Sequence, residues 1–247
     1  MEALSGQRVI VTGGSRGLGL GIVEALVKRG AGVTVIARKT GPLAELEGRL
    51  GVATISGDVT EPGFADRVLV EVRPDILILN AGVVMPLLPL YEQTWETFSA
   101  AWEHDVKAGF LWLQAALRHL SRGRVLVMSS GAAVGGSPLS GGYAGAKRML
   151  WFMADYANAC AAEADRDLRF QTVVPMQVVG DTGVGDAAAG AYARRRGITP
   201  QAFLAGFGAP LSAREFGEHV ATLLADPSHR TPRAFTIKGD TGLSPVT

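Results

Sequence analysis

Three side chains near the middle of this sequence could together move a proton to or from a carbonyl or alcohol oxygen. They are Ser130, Tyr143 and Lys147, a hydroxyl, a phenol and an amine. The segment Tyr-Ala-Gly-Ala-Lys opens an apolar, alanine-rich stretch whose pattern predicts a helix over Tyr143–Ala164. A spacing of four places the phenol and the amine on one helical face, one turn apart. A free phenol titrates near ~10, too high for a base at neutral pH. An adjacent ammonium favours phenolate and brings the phenol toward the range that general acid–base catalysis uses. Tyr-x-x-x-Lys is nevertheless common by chance, and a capping tyrosine beside a solvated lysine fits it equally well. The rest of the chain has to decide.

The N-terminal region supplies a second motif. Arg8–Thr12 is a short β-branched run, ended by Gly13-Gly14-Ser15-Arg16-Gly17-Leu18-Gly19, after which Leu18, Ile22, Val23, Leu26 and Val27 mark one face of a helix. Strand, glycine-rich turn and helix N-terminus make an anion site, because the backbone can approach a pyrophosphate while unpaired N–H groups and the helix dipole favour negative charge. The same turn would also serve as a tight ligand-free connection.

Elements that would position these groups alternate along the whole chain. Strands are expected at Arg8–Thr12, Val33–Ala37, Val52–Ser56, Ile76–Leu79, Arg124–Ser129, Arg169–Val174 and Ala234–Ile237. Helices are expected at Leu18–Arg29, Pro42–Leu50, Pro62–Val72, Trp95–His119, Tyr143–Ala164 and Ala213–Leu224. Strands such as Ile76-Leu77-Ile78-Leu79 are continuously apolar, as when helices cover both faces of a parallel sheet. Thr12, Asp58, Asn80, Ser130 and Pro175 then fall just past strand ends, along the carboxyl edge where such sheets bind ligands.

Composition excludes several alternatives. The 247 residues are 47% apolar and 19% charged, with net charge +1, which suggests neither a nucleic-acid surface nor an electrostatic membrane anchor. The four histidines have no metal-ligand spacing, and no metal is expected. Cys160, the one cysteine, lies within a predicted helix and reads as a small buried hydrophobe. The opening Met-Glu-Ala-Leu-Ser-Gly-Gln lacks the regions of a signal peptide, and the apolar stretch Ile76–Leu90 is broken by Asn80, Gly82, Pro86 and Pro89. A cytoplasmic protein of one domain, residues 1–247, is expected.

Taken together, Thr12-Gly-x-x-x-Gly-x-Gly19, Asp58-Val59, Asn80-Ala81-Gly82 and the Ser130, Tyr143, Lys147 set, in this order, resemble the short-chain dehydrogenase/reductase family of the classical type. The resemblance covers nearly the whole chain. It implies an α/β fold, a single Rossmann-type doubly wound parallel sheet of about seven strands with helices on both faces. It implies an NAD(P)-dependent enzyme in which Tyr143 is the acid/base, Ser130 bonds the substrate oxygen, and Lys147 tunes the tyrosine and holds the nicotinamide ribose. Cofactor contacts would come from Gly13, Ser15, Arg16, Gly17, Leu18, Gly19, Arg38, Asp58, Val59, Asn80, Ala81, Gly82, Tyr143, Lys147, Pro175 and Val178. It further implies a homodimer or homotetramer paired through the helices at Trp95–His119 and Tyr143–Ala164, with Trp102, Phe110, Leu113, Met149, Phe152, Met153 and Tyr156 as apolar candidates for the interface.

Two positions depart from the family pattern. Asp105 stands where asparagine is usual, adding a carboxylate to the expected catalytic set near Lys147. Met176, in Pro175-Met176-Gln177, stands where glycine is usual, and the nearby Thr182 falls in shifted register. The second predicted strand ends Ala37-Arg38-Lys39, with no acid to meet a free ribose 2′-hydroxyl. Arg38 and Arg16 instead suit a 2′-phosphate, hence NADP. Val83, Val84, Met85, Val134, Leu139 and Met176 are candidates for an apolar substrate pocket, and 183–209 for a substrate lid containing Arg194-Arg195-Arg196. An NADPH-preferring carbonyl reductase is the expected function. The alternative is an NADP-binding sensor or regulatory protein, weakened in turnover by Asp105 and Met176.

Overall fold

A computed structural model describes residues 4–246; Met1–Ala3 of the opening segment, and Thr247, lie outside it. Eight strands form one sheet in the order β3-β2-β1-β4-β5-β6-β7-β8. They are β1 Arg8–Thr12, β2 Gly32–Ala37, β3 Ala53–Ser56, β4 Ile76–Leu79, β5 Arg122–Met128, β6 Asp167–Pro175, β7 Ala234–Lys238 and β8 Gly242–Pro245. The first seven run parallel, and β8 turns back antiparallel on β7. This eighth strand is absent from the sequence expectation, because Gly-Leu-Ser-Pro carries neither the apolar run nor the alternation that marks the others.

The helices are α1 Gly17–Lys28, α2 Thr40–Leu50, α3 Phe64–Val72, α4 Trp95–Ala101, α5 Lys107–His119, α6 Ala132–Gly135, α7 Gly142–Glu163, α8 Gly183–Arg196, α9 Pro200–Ala205 and α10 Ala213–Ala225. Their placement on both faces follows from the strands' period of two. Val9, Val11, Ile76, Ile78 and Leu126 point into one core, with Ile22, Leu26, Phe216 and Val220 of α1 and α10. Ile10, Leu77, Leu79, Val125 and Val127 point into the other, with Leu69, Trp112 and Leu150 of α3, α5 and α7. Each strand therefore needs apolar residues at successive positions, which is the pattern read in the sequence.

The predicted helix Trp95–His119 is in fact two, joined by a π turn at Trp102–Val106. Trp102 fixes this turn against α7 by donating its indole N–H to the Gly142 carbonyl at 3.0 Å. Cys160 is exposed rather than buried. It follows Phe152 and Tyr156 at intervals of four, along the outward face of α7, while Ala154, Ala157 and Ala161 take the core.

Arg124 of β5 is a buried cation with no carboxylate partner among the described residues. Its guanidinium bonds the Gln171 side-chain oxygen on β6 at 2.6 and 3.0 Å and the last carbonyls of α10, Leu223 and Leu224, at 3.2 Å each. It also reaches the His229 carbonyl in the turn beyond α10. These acceptors are the helix-end groups that no intrahelical N–H can satisfy. Among the described residues, no helix is long and apolar enough to cross a membrane.

Candidate active site

Strand order reverses between β1 and β4, and at the carboxyl ends of the strands there opens a cavity of about 900 Å³. Thr12, the last residue of β1, joins the two sides of this switch point. Its hydroxyl donates to the Ile78 carbonyl and accepts from the N–H groups of Asn80 at 3.0 Å and Ala81 at 3.1 Å. The Asn80 amide returns bonds to the carbonyls of Thr12 and Gly13, both at 3.1 Å.

The glycine turn fits a dinucleotide phosphate. Gly13 and Gly17 adopt φ of +66° and +52°, a conformation that disfavours other residues. A Cβ on Gly13 would lie 2.7 Å from the Ala81 Cα, and one on Gly19 would collide with the Gly13 carbonyl. The N-terminus of α1 has no side-chain cap and no acidic residue in its first turn, whereas α8 and α10 are capped by Thr182 and Ser212. The unpaired N–H groups of α1 are thus left for an anion supplied from outside the chain.

Most of the predicted cofactor residues line this one cavity: Gly13, Ser15, Arg16, Gly17, Leu18, Gly19, Arg38, Val59, Asn80, Ala81, Gly82, Tyr143, Lys147, Pro175 and Val178. Asp58 does not. Its carboxylate accepts from the Thr60 N–H at 2.9 Å and hydroxyl at 2.7 Å, and these bonds hold its carboxyl below the usual range. Asp58 therefore shapes the turn that presents Val59, whose carbonyl is fixed by the Trp112 indole. Of the substrate-pocket candidates, Val83, Val84, Met85 and Met176 line the cavity. Val134 is on the surface and Leu139 is buried in packing; neither lines it. Thr182, also at the cavity wall, uses its hydroxyl to cap α8, accepting from the Gly185 N–H and donating to the Val179 carbonyl.

Ser130, Tyr143, Lys147 and Asp105 converge on the same space. Ser130 follows β5 and accepts from the Ala132 N–H at 3.2 Å; its neighbour Ser129 donates to the Lys147 carbonyl at 2.8 Å, tying β5 to α7. The Lys147 ammonium lies 5.6 Å from the centre of the Tyr143 ring. It pairs with Asp105 Oδ2 at 3.0 Å, both side chains being almost fully buried. The π turn makes this contact possible: it rotates Asp105 inward, where Oδ1 accepts from the Val83 N–H at 2.9 Å and faces His104 Nδ1 at 3.0 Å.

Electrostatics follow from that geometry. Burial alone pushes the Asp105 carboxyl up, but Lys147, His104 and the Val83 N–H outweigh it and hold the carboxyl below its ordinary value. Burial likewise disfavours the Lys147 ammonium, yet the Asp105 carboxylate and the Tyr143 oxygen raise it above the ordinary lysine range. The charged form of Lys147 is thereby favoured beside the phenol. Gly82 leaves the room for this pair, since a Cβ there would stand 3.2 Å from Asp105 Oδ2 and 3.6 Å from Lys147 Nζ.

Sequence reasoning missed His104 and, within the expected lid 183–209, the wall residues Tyr192, Phe203 and Phe207; it named Arg196 only as part of Arg194-Arg195-Arg196. The Asp105 departure marked the right neighbourhood for His104, but a π turn leaves no trace in apolar periodicity. The wall residues come from two helices in a polar, alanine-rich stretch without a strong apolar face.

A family description, short chain dehydrogenase, matches residues 7–188. Among curated proteins, the chain is similar to a hydroxynaphthalene reductase of Aspergillus fumigatus, 35% identical over 160 residues, 60% of this chain and 58% of that one. It is also similar to an L-fucose dehydrogenase of Rattus norvegicus, 34% identical over 134 residues, 51% of this chain and 50% of that one. An L-xylulose reductase of Homo sapiens is 34% identical over 106 residues, 42% of this chain and 43% of that one. The matched regions span about half the length of these relatives. The match to the family covers more than half of this sequence, and the chain belongs to the short chain dehydrogenase family.

Proposed function

We propose that this protein is an NADP-dependent oxidoreductase acting on a carbonyl or alcohol group, probed most directly as an NADPH-preferring carbonyl reductase. The observation that carries the reading is the meeting, in one cavity, of the phosphate-fitting glycine turn with Tyr143 and a Lys147 kept cationic by Asp105. When bound, the nicotinamide supplies or accepts the hydride. The chain's own part is proton chemistry. Tyr143 gives its phenolic proton to the substrate oxygen in reduction and removes it in oxidation, Ser130 bonds that oxygen, and Lys147 stabilises the phenolate. The named reductases and dehydrogenases among the relatives support this reaction class.

Preference for NADP is supported by charge. Arg16 and Arg38 both line the cavity, on the glycine turn and at the end of β2, and Ala37 takes the place where an acid would serve NAD. Residues 1–247 act as one catalytic domain, with 183–209, the stretch holding α8 and α9, as the substrate lid. The protein self-associates as a dimer or tetramer through α5 and α7. Trp102, Phe110, Phe152 and Tyr156 are exposed there, whereas Leu113 and Met153 turn inward to the core.

A screen of NADPH oxidation against ketones, aldehydes and quinones, run with wild type and Tyr143→Phe, tests the proposal. Turnover that disappears in Tyr143→Phe while NADPH still binds is the expected result. Reduction at the wild-type rate by Tyr143→Phe refutes the role of the phenol.

A further inference from the structure

On the β6 side of the switch point, away from Arg16 and Arg38, the cavity is closed by an aromatic wall carried on α8 and α9. Tyr192 and Phe203 stack at 5.3 Å with 9° between their planes, and Phe207 meets Phe203 edge-on at 5.4 Å. The Arg196 guanidinium lies 5.2 Å from the Phe203 ring centre. Among the described residues Arg196 has no carboxylate within ion-pairing distance. Its neighbours Arg194 and Arg195 do not line the cavity and serve as the ordinary cations of a helix C-terminus.

Charge within the cavity is one-sided. Arg16, Arg38, Lys39, Lys147 and Arg196 line it, against Asp105 as the one carboxylate among the described lining residues, and Asp105 is engaged by Lys147. The chain as a whole carries only +1, so the excess is local. Arg16, Arg38 and Lys39 sit on the glycine turn and after β2, where cofactor phosphates account for them. Arg196 is exposed and shares the last turn of α8 with Arg194 and Arg195, but it alone of the three lines the cavity, with its guanidinium over the Phe203 ring. The Tyr192 hydroxyl contacts Ser137 Oγ, which brings this wall against the loop leading into Tyr143.

We propose that the substrate is a flat aromatic carbonyl compound bearing a carboxylate or similar planar oxyanion, its ring against the Tyr192, Phe203 and Phe207 wall and its anion on Arg196. The proposal rests on reading the Tyr143 cavity as that of a carbonyl reductase. Tetralone and a ring-carboxylated tetralone are the probes, assayed by NADPH oxidation with wild type, Arg196→Gln and Arg195→Gln. Wild type is expected to favour the carboxylated ketone by about tenfold or more in kcat/KM, the size of one charge-assisted bond. In Arg196→Gln the ratio of the two kcat/KM values falls to about one, Arg195→Gln retains the wild-type ratio, and added salt erodes it in wild type. Equal kcat/KM for the two ketones in wild type, or equal effects of the two arginine substitutions, overturns the proposal. If neither ketone is reduced while the broader carbonyl screen shows turnover, the tetralone frame is not a substrate; if that screen shows none either, it is the carbonyl reductase reading that fails. Calorimetric binding then decides on Arg196 separately: tighter binding of the carboxylated ketone, lost in Arg196→Gln, supports the anion site, and equal binding overturns it.

Discussion

Replacing Asp105 with asparagine removes one charge from the interior and almost no volume. The carboxylate has three engagements: the Val83 N–H, His104 and the Lys147 ammonium at 3.0 Å. An asparagine side-chain oxygen can keep the Val83 bond, but its NH2 group then faces a cation. Removing one member of a buried ion pair typically costs about 3–5 kcal/mol, and neither side chain here has the exposure that would let solvent screen the loss. An upper bound comes from the escape route open to Lys147, shedding its proton. At pH 7, for a group ordinarily at 10.5, that costs about 5 kcal/mol at roughly 1.4 kcal/mol per pH unit. Because the isostere keeps one hydrogen bond, we expect the low end, about 3 kcal/mol, or a fall in Tm of roughly 6–12 °C for a chain of this size.

The pH dependence of that difference has a definite sign. Asp105 is depressed in the folded state, so its contribution is present above the ordinary carboxylate value of 3.8 and is lost as pH falls through the folded value below it. Lys147 is raised, so its contribution is complete below 10.5 and is lost as pH climbs through the folded value above it. The stability gap between wild type and Asp105→Asn should therefore be a plateau from about pH 4 to about pH 8; it closes below as Asp105 takes up its proton, and above as the ammonium left unpaired in the variant escapes by losing its own. Thermal melts across that range test it. A gap under about 1 °C at pH 7 would refute the claim that the pair is charged and buried.

Turnover should respond as well, since Asp105→Asn weakens the hold on the ammonium next to Tyr143; its kcat–pH profile is expected to shift, and superimposable profiles would show the carboxylate to be a silent replacement. Gly82→Ala pushes a methyl group toward the Asp105–Lys147 pair, at an expected cost of about 1–3 kcal/mol by urea denaturation together with slower turnover. Arg38→Ala should weaken NADPH binding about tenfold, the low end for a charge-assisted bond because Arg38 is exposed, and leave NADH unchanged in fluorescence titrations; equal wild-type affinity for the two cofactors contradicts the arginine pair. Sedimentation at micromolar concentration should show a species larger than the 25.9 kDa chain, and monomer alone would refute pairing through α5 and α7.

What could be read from the sequence was whatever depends on local pattern. Continuously apolar strands announced a sheet covered on both faces, and Thr12, Asn80, Ser130 and Pro175 were placed on its carboxyl edge by counting strand ends. What could not be read depends on departures from regular geometry or on distant packing. The extra residue of the π turn conceals that the adjacent His104 and Asp105 both face the cavity, in contact with each other and with Asp105 meeting Lys147. Nothing in the sequence shows that Thr60 engages one oxygen of the Asp58 carboxylate. Cys160 was placed inside because α7 is apolar on more than one side. β8 pairs only because β7 offers it an edge.

Arg124 has a consequence for how the molecule opens. One guanidinium joins β5, β6, the end of α10 and the turn after it, so none of these can fray without stranding a buried cation and several carbonyls. Amides at the end of α10, which as a helix terminus would ordinarily exchange with solvent early, should exchange slowly. The mobility that substrate exchange demands is thereby confined to the opposite edge of the sheet, where α8 and α9 cover the cavity.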